Sequence, residues 1–178
     1  MGELICLESS PTPIKWEEVD SAIHNPMDLW NIVLNLLKEV VLKIREERKG
    51  NIECIGISSF GESGVLIDNK GNPLGPVLTW FDIRTKDIFE RFKNLIKIEN
   101  LKFFTGLFSD YTYTLFKLLW LKEFYPSIFI KNPKWLSIAD WIAYNLTGNI
   151  QVGITHANRT GCIKLVYQIA YRFIRQKL

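Results

Sequence analysis

From Pro26 to about Arg48, apolar side chains return every three or four residues, at Leu29, Val33, Leu36, Leu37, Val40, Val41 and Ile44, with charge on the opposite face. That period is helical, so a long amphipathic helix is expected here, ended by Gly50. The same period recurs over Lys86 to Ile96, Tyr113 to Phe124 and Leu136 to Leu146, with Thr147-Gly148 as a stop signal, and Cys162 to Leu178 reads as one more amphipathic helix. Extended segments interrupt this pattern. Glu3 to Glu8 is a short apolar run entering a loop at Ser9 to Pro13, and Asn51 to Ser59 crowds Ile52, Cys54, Ile55 and Ile57 together as a buried strand would. Val65-Leu66-Ile67 and Val77 to Trp80 follow, separated by the reversal Asp68-Asn69-Lys70-Gly71-Asn72-Pro73. Asn, Gly and Pro together favour a tight turn, so residues 51 to 80 are expected to form an antiparallel unit. Strands followed by a helical block imply an α/β sheet with helices packed on it.

At 178 residues and 47% hydrophobic composition, the chain suits one domain with a sizeable core. Lys and Arg total 22 against 19 Asp and Glu, and the net charge of +3 is spread along the chain, so nucleic acid is not an expected partner. Cys6, Cys54 and Cys162 are far apart and form no Cys-x-x-Cys pair, which gives neither a disulfide framework nor a zinc knuckle. No apolar run approaches the about 18 residues that span a bilayer. A protein of the reducing cytoplasm, without a membrane partner, is the expectation.

Neither the P-loop pattern nor Gly-x-Gly-x-x-Gly occurs, so no familiar phosphate cradle is present. His24 and His156 are the only histidines, and neither has a second ligand at metal spacing, so a structural role is the default for both. Serine-hydrolase chemistry lacks its Gly-x-Ser-x-Gly elbow. Two loops at strand ends remain, Ser58 to Ser63 and Trp80 to Thr85. A polyol wants carboxylate and guanidinium groups against its hydroxyls and an aromatic face against its C–H side, and Glu62, Asp82, Arg84 and Trp80 make such a set. Ordinary readings stand beside it: Trp80 as core, Asp82 as a helix-start acid, Arg84 in a surface ion pair, and Glu62 as a solvated loop residue.

An ordered series of short matches resembles the N-terminal domain of the FGGY carbohydrate kinases. It runs through Ile55-Gly56-Ile57-Ser58-Ser59 with Glu62, Leu66 to Leu74, and Trp80-Phe81-Asp82-Ile83-Arg84-Thr85. It continues with Thr105-Gly106, Lys117 to Lys122, Lys134-Trp135-Leu136, Asp140, Leu146-Thr147-Gly148 and Thr155 to Gly161. The resemblance implies an actin-like, ribonuclease-H-like lobe with a mixed sheet and packed helices. It implies an activity too: ATP- and magnesium-dependent phosphorylation of a sugar, sugar acid or polyol hydroxyl. By the same resemblance, Glu62, Trp80, Asp82 and Arg84 line the substrate pocket, with Thr112 and its neighbours Tyr111 and Tyr113 as a looser further contact. Gly61 stands where glycerol kinases carry arginine, which points away from glycerol and toward a ketose or sugar acid.

The chain also departs from that family. It is expected to lack the first hairpin with its Asp-Gly-Thr, the general-base aspartate, and the ATP-binding second lobe, so that it binds no ATP or magnesium by itself. Residues 1–161 are expected to be a partial sugar-binding domain and 162–178 a divergent terminal helix of that domain. Three outcomes are open: a kinase lobe inactive alone, completed by a second-lobe polypeptide; a non-catalytic sugar-binding or regulatory module; or a decayed gene product. Uncovered strands would invite self-association.

Overall fold

The computed structural model describes residues 2–18, 20–47, 50–95, 102, 105–108, 110–164 and 169–170. Strands β1 (Lys15–Glu18) and β2 (Ser21–His24) form an antiparallel hairpin turned at Asp20, whose φ of 57° lies in the left-handed region. Helix α1 (Pro26–Glu46) follows at once. Its start is well specified: the Asn25 side chain accepts the Met27 amide at 2.8 Å, proline fills the first turn, and Asp28 faces the positive end of the helix dipole.

Strand β3 (Gly64–Ile67) pairs antiparallel with β5 (Lys134–Ser137), while β4 (Val77–Leu78) pairs antiparallel with β2. The β3–β5 pair sits between two apolar clusters because successive strand side chains point to opposite faces. Val65 and Ile67 pack with Leu29, Val77, Leu136 and Trp141, whereas Leu66 joins Leu78, Ile88, Phe116 and Trp120. Helices α2 (Lys86–Leu95), α3 (Thr114–Phe124) and α4 (Pro126–Ile130) build the second cluster. At its centre the buried Phe116 ring is met edge-on by Phe89 at 5.1 Å and Phe92 at 5.7 Å. Helix α5 (Ile138–Thr147) closes the first cluster, and α6 (Ile154–Arg159) lies beyond it. The expected stop is realised: Gly148, at φ 74°, donates its amide to the Tyr144 carbonyl at 2.7 Å.

The turn after β3 carries the expected reversal. Asp68 accepts the amides of Lys70 and Asn72 at 2.8 and 2.9 Å, and a bridge between Ile67 and Pro73 closes it. Gly71 is required twice over there, since its φ is 86° and a Cβ would lie 1.9 Å from the Tyr144 hydroxyl.

Several expectations are corrected. Residues 3–8 form no strand, and Leu4 and Leu7 are exposed. Residues 51–59 form no strand rather than a buried one, with Ile52 and Ile55 exposed. A strand is held by its neighbours' hydrogen bonds, and neither segment has a neighbour among the described residues. The consequence reaches α1: beyond Leu29 its apolar face is only partly covered. The expected antiparallel unit over 51–80 is likewise replaced by long-range pairing, because β3 turns to β5 and β4 to β2. The helix expected from Leu136 starts instead at Ile138, because Leu136 and Ser137 end strand β5. The expected terminal helix over 162–178 falls largely outside the described residues. Where it is described, β6 (Ile163–Lys164) pairs antiparallel with β7 (Ile169–Ala170), so those positions are strand.

Candidate functional site

Strand β4 delivers the chain into a turn at Trp80–Phe81, held where the Thr79 amide bonds the Ala22 carbonyl at 3.1 Å. Asp82 then caps a 3-10 turn (Ile83–Thr85) that runs straight into α2, its carboxylate accepting the Arg84 amide at 3.0 Å. The same carboxylate binds the Arg84 guanidinium through Nε at 3.0 Å and Nη2 at 2.6 Å. Arg84 reaches onward, donating from Nη1 to Glu17 on β1 at 2.7 Å and stacking 4.7 Å from the centre of the Trp120 ring. Burial pulls the Arg84 pKa down, and Asp82 and Glu17 outweigh it, leaving the group above its ordinary value. The bland readings of Asp82 and Arg84 are thus literally present. What they omitted is burial: Asp82 is 0% exposed.

Thr85 ties this turn to the next segment by donating its hydroxyl to the Tyr111 carbonyl at 2.9 Å. There Asp110 accepts the Thr112 amide at 2.8 Å, fixing the turn that opens α3. One turn into α3, Lys117 points back. It is 4% exposed, and its ammonium donates to the Thr112 carbonyl and, at 3.4 Å, to the Trp80 carbonyl. Burial pushes its pKa down to about 8, against the opposing pull of Glu62, Asp82 and Asp110.

Glu62 sits just ahead of β3 with φ 61°, a left-handed conformation that costs a non-glycine residue roughly 1–2 kcal/mol. Its buried carboxylate is taken by both Nε and Nη2 of Arg159, at the end of α6. Arg159 remains 48% exposed and lies 5.6 Å from the centre of the Tyr113 ring. Helix α6 is anchored from behind: Ser137 donates to Asp140 at 2.6 Å and meets His156 Nδ1 at 2.9 Å, and Asp140 accepts the Gly153 amide at 3.0 Å. The other histidine, His24, has its Nδ1 against the Pro13 carbonyl at 2.7 Å.

The Trp80 and Thr112 carbonyls bond the Lys117 ammonium, whose charge also feels Glu62, Asp82 and Asp110, while Glu62 holds Arg159 and Asp82 holds Arg84. Charges alternate along this line from Arg159 through Glu62, Lys117, Asp82 and Arg84 to Glu17. The Trp80 side chain is 49% exposed and meets Phe81 edge-on at 5.4 Å, so it is not core. Arg84 also lines, with Glu17, Trp120, Phe124 and Tyr125, a cavity of about 420 Å³.

Arg159 and Lys117 were not singled out from the sequence. Lys117 had a signal: it falls on the stripe defined by Tyr113, Trp120, Leu121 and Phe124, where a charge conflicts with burial. Arg159 had none, because its partner lies 97 positions away.

Residues 1–170 match the N-terminal domain of the FGGY family of carbohydrate kinases, which carries the likeness past Gly161, where the motif matches stop. An L-fuculokinase of Escherichia coli K12 is 35% identical over 159 residues, covering 88% of this chain and 33% of its own length. Glycerol kinase of Plasmodium falciparum superposes with a TM-score of 0.87 at 23% identity, covering 94% of this chain and 35% of its own. Gluconate kinase of Lactobacillus acidophilus does so with a TM-score of 0.82 at 26% identity, covering 92% and 32%. The chain therefore spans about a third of the length of these relatives. It has the α/β fold of that sugar-kinase lobe, actin-like and ribonuclease-H-like. On this match and this fold, the chain belongs to the FGGY family of carbohydrate kinases.

Proposed function

We propose that Glu62, Trp80, Asp82, Arg84 and Thr112 form the sugar-side half of a carbohydrate-kinase site, which takes a sugar, sugar acid or polyol. One observation carries this reading: Lys117 bonds the carbonyls of Trp80 and Thr112 while in the field of Glu62 and Asp82, so segments distant in the chain meet at one point. Within the set, Trp80 and Arg84 keep exposed surface for a ligand, and the fully buried Asp82 orients Arg84. Neighbouring hydroxyls suit a guanidinium and a carboxylate in the same way, and a sugar's C–H face suits an exposed indole. Gly61 stands where glycerol kinases carry arginine, and that resemblance favours a ketose or sugar acid over glycerol; the nearest atom to a Cβ built there would be Arg159 Nε, at 3.9 Å.

Phosphoryl transfer needs a positioned nucleotide and neutralised charge. Magnesium finds no fit among the described residues: no three His, Cys, Asp or Glu side chains are placed to hold one ion, and the Glu62 and Asp82 carboxylates are each occupied by a guanidinium. The 178-residue chain alone is accordingly proposed to bind without transfer. ATP chemistry is proposed to draw on the parts of the relatives' length that these residues do not span, packed against the exposed apolar segments at Leu4, Leu7, Ile52 and Ile55. Self-association through the same segments is the competing outcome. Three free cysteines, Cys54 exposed, support the reducing cytoplasm as the setting, and no described helix is long and apolar enough to cross a membrane.

The test pairs calorimetry without nucleotide with an ADP-coupled turnover assay, over L-fuculose, D-xylulose, gluconate and glycerol. Binding without turnover is expected. Turnover by the chain alone would refute the proposed inactivity, and heat from none of the panel would refute the site.

A further inference from the structure

Lys117 carries a buried charge. A buried ammonium loses its hydration, and replacing it by an apolar side chain of similar length is usually neutral or stabilising. Among the described residues no carboxylate bonds it directly. Its partners are two backbone carbonyls, from Trp80 after β4 and from Thr112 ahead of α3. Those turns carry the exposed indole and the Thr112 contact of the proposed site. Packing alone would be met by methionine; bonding two carbonyls at once requires a donor with several hydrogens.

We infer that Lys117 is a positioning residue of the sugar site: its ammonium braces the Trp80 turn against the Thr112 turn, so that the charge itself, not the bulk of the side chain, sets the placement of Trp80. The inference rests on the proposed sugar site only in its consequence for ligand binding. The groups facing the ammonium are Glu62 ahead of β3, Asp82 after β4 and Asp110 ahead of α3, with Arg159 and Arg84 behind the first two. Burial brings its titration down to about 8, so the brace is made and released within a range the folded chain can be studied in. Above that range the neutral amine is a weaker donor to both carbonyls, and the Trp80 turn loosens.

The experiment first reads Trp80 without any ligand, as the emission difference between the full chain and its Trp80→Phe variant across pH. The expected difference spectrum titrates with a midpoint near about 8. Lys117→Met should give a constant spectrum matching the high-pH form, and Lys117→Arg, charged throughout, a constant spectrum matching the low-pH form. A wild-type difference that does not titrate overturns the inference, and needs no variant to fold; so does a Lys117→Met spectrum that keeps the low-pH form. The second arm is calorimetry with L-fuculose and D-xylulose at about pH 7 and about pH 9, where the loss of a charge-assisted brace should weaken binding roughly tenfold. Equal affinity at both values overturns the link to the ligand. If Trp80 titrates as expected and neither sugar binds at either pH, the brace stands and the sugar-site reading is what has failed.

Discussion

One oxygen of the Glu62 carboxylate accepts both Nε and Nη2 of Arg159, a residue 97 positions further along the chain. The pair closes the loop before β3 onto the end of α6, and it does so from a glutamate held at φ 61°. Backbone strain at a polar loop residue persists only where surrounding contacts over-determine it. Here the contact is the ion pair. Glu62→Ala should therefore lose the pair and keep the strain, whereas Glu62→Gly loses the pair and relieves the strain. Urea unfolding should find the glycine variant more stable than the alanine variant by about 1 kcal/mol.

The Asp82 carboxylate is fully buried and its bonds go to the Arg84 amide and guanidinium. Removing its charge leaves a largely buried guanidinium short of one partner. Asp82→Asn should cost about 3 kcal/mol in unfolding free energy, more than Glu17→Gln at the outer end of the same guanidinium. A smaller loss at Asp82 than at Glu17 would contradict the burial on which its orienting role depends.

Lys117 also predicts how stability follows pH. Its folded pKa, about 8, lies below the free-lysine value of 10.5, so between those two values the unfolded chain binds the extra proton. Stability contributed by this group therefore rises with pH across that window and is flat below it, with a slope of at most about 1.4 kcal/mol per pH unit. Lys117→Met should remove the slope and be the more stable protein at neutral pH. Denaturant melts at a series of pH values check both.

Gly71 is constrained by its φ of 86° and by the Tyr144 hydroxyl. Gly71→Ala should cost about 2 kcal/mol or more, and Tyr144→Phe, which clears the hydroxyl, should restore only part of it because the backbone conformation still disfavours a Cβ. Thermal unfolding of the two single variants and the double variant separates the contributions.

Leu4, Leu7, Ile52 and Ile55 expose apolar surface on segments that pair with no strand among the described residues. Leu7→Lys with Ile55→Lys should reduce self-association in sedimentation velocity without lowering the unfolding midpoint. An unchanged sedimentation profile would remove those segments from the contact surface.

Much of the helical framework was legible because its signals are local. Pro26 opened α1 where the apolar period began, Gly148 closed α5, and the Asp68 to Pro73 turn followed from turn chemistry. The sheet was less legible, since pairing is decided by residues far apart: nothing near Val65 says that Leu136 will be its partner. Residues 51–59 have a strand's composition, yet composition supplies no neighbouring strand. The candidate site divides the same way. Trp80, Asp82 and Arg84 were found as a segment and as a family resemblance, whereas the Glu62–Arg159 pair and the Lys117 brace exist only once α6 and α3 are packed against the loops.

The central claim, that these loops make half of a pocket for a hydroxylated ligand, is tested most directly by the indole N–H resonance of Trp80 in a nitrogen-15 NMR titration with L-fuculose, D-xylulose and gluconate. The account predicts a saturable shift of that resonance with at least one of the three, lost in Arg84→Ala and in Glu62→Ala while the remaining indoles stay in place. A Trp80 resonance that none of the three moves, in a chain whose spectrum is that of a folded protein, would contradict it.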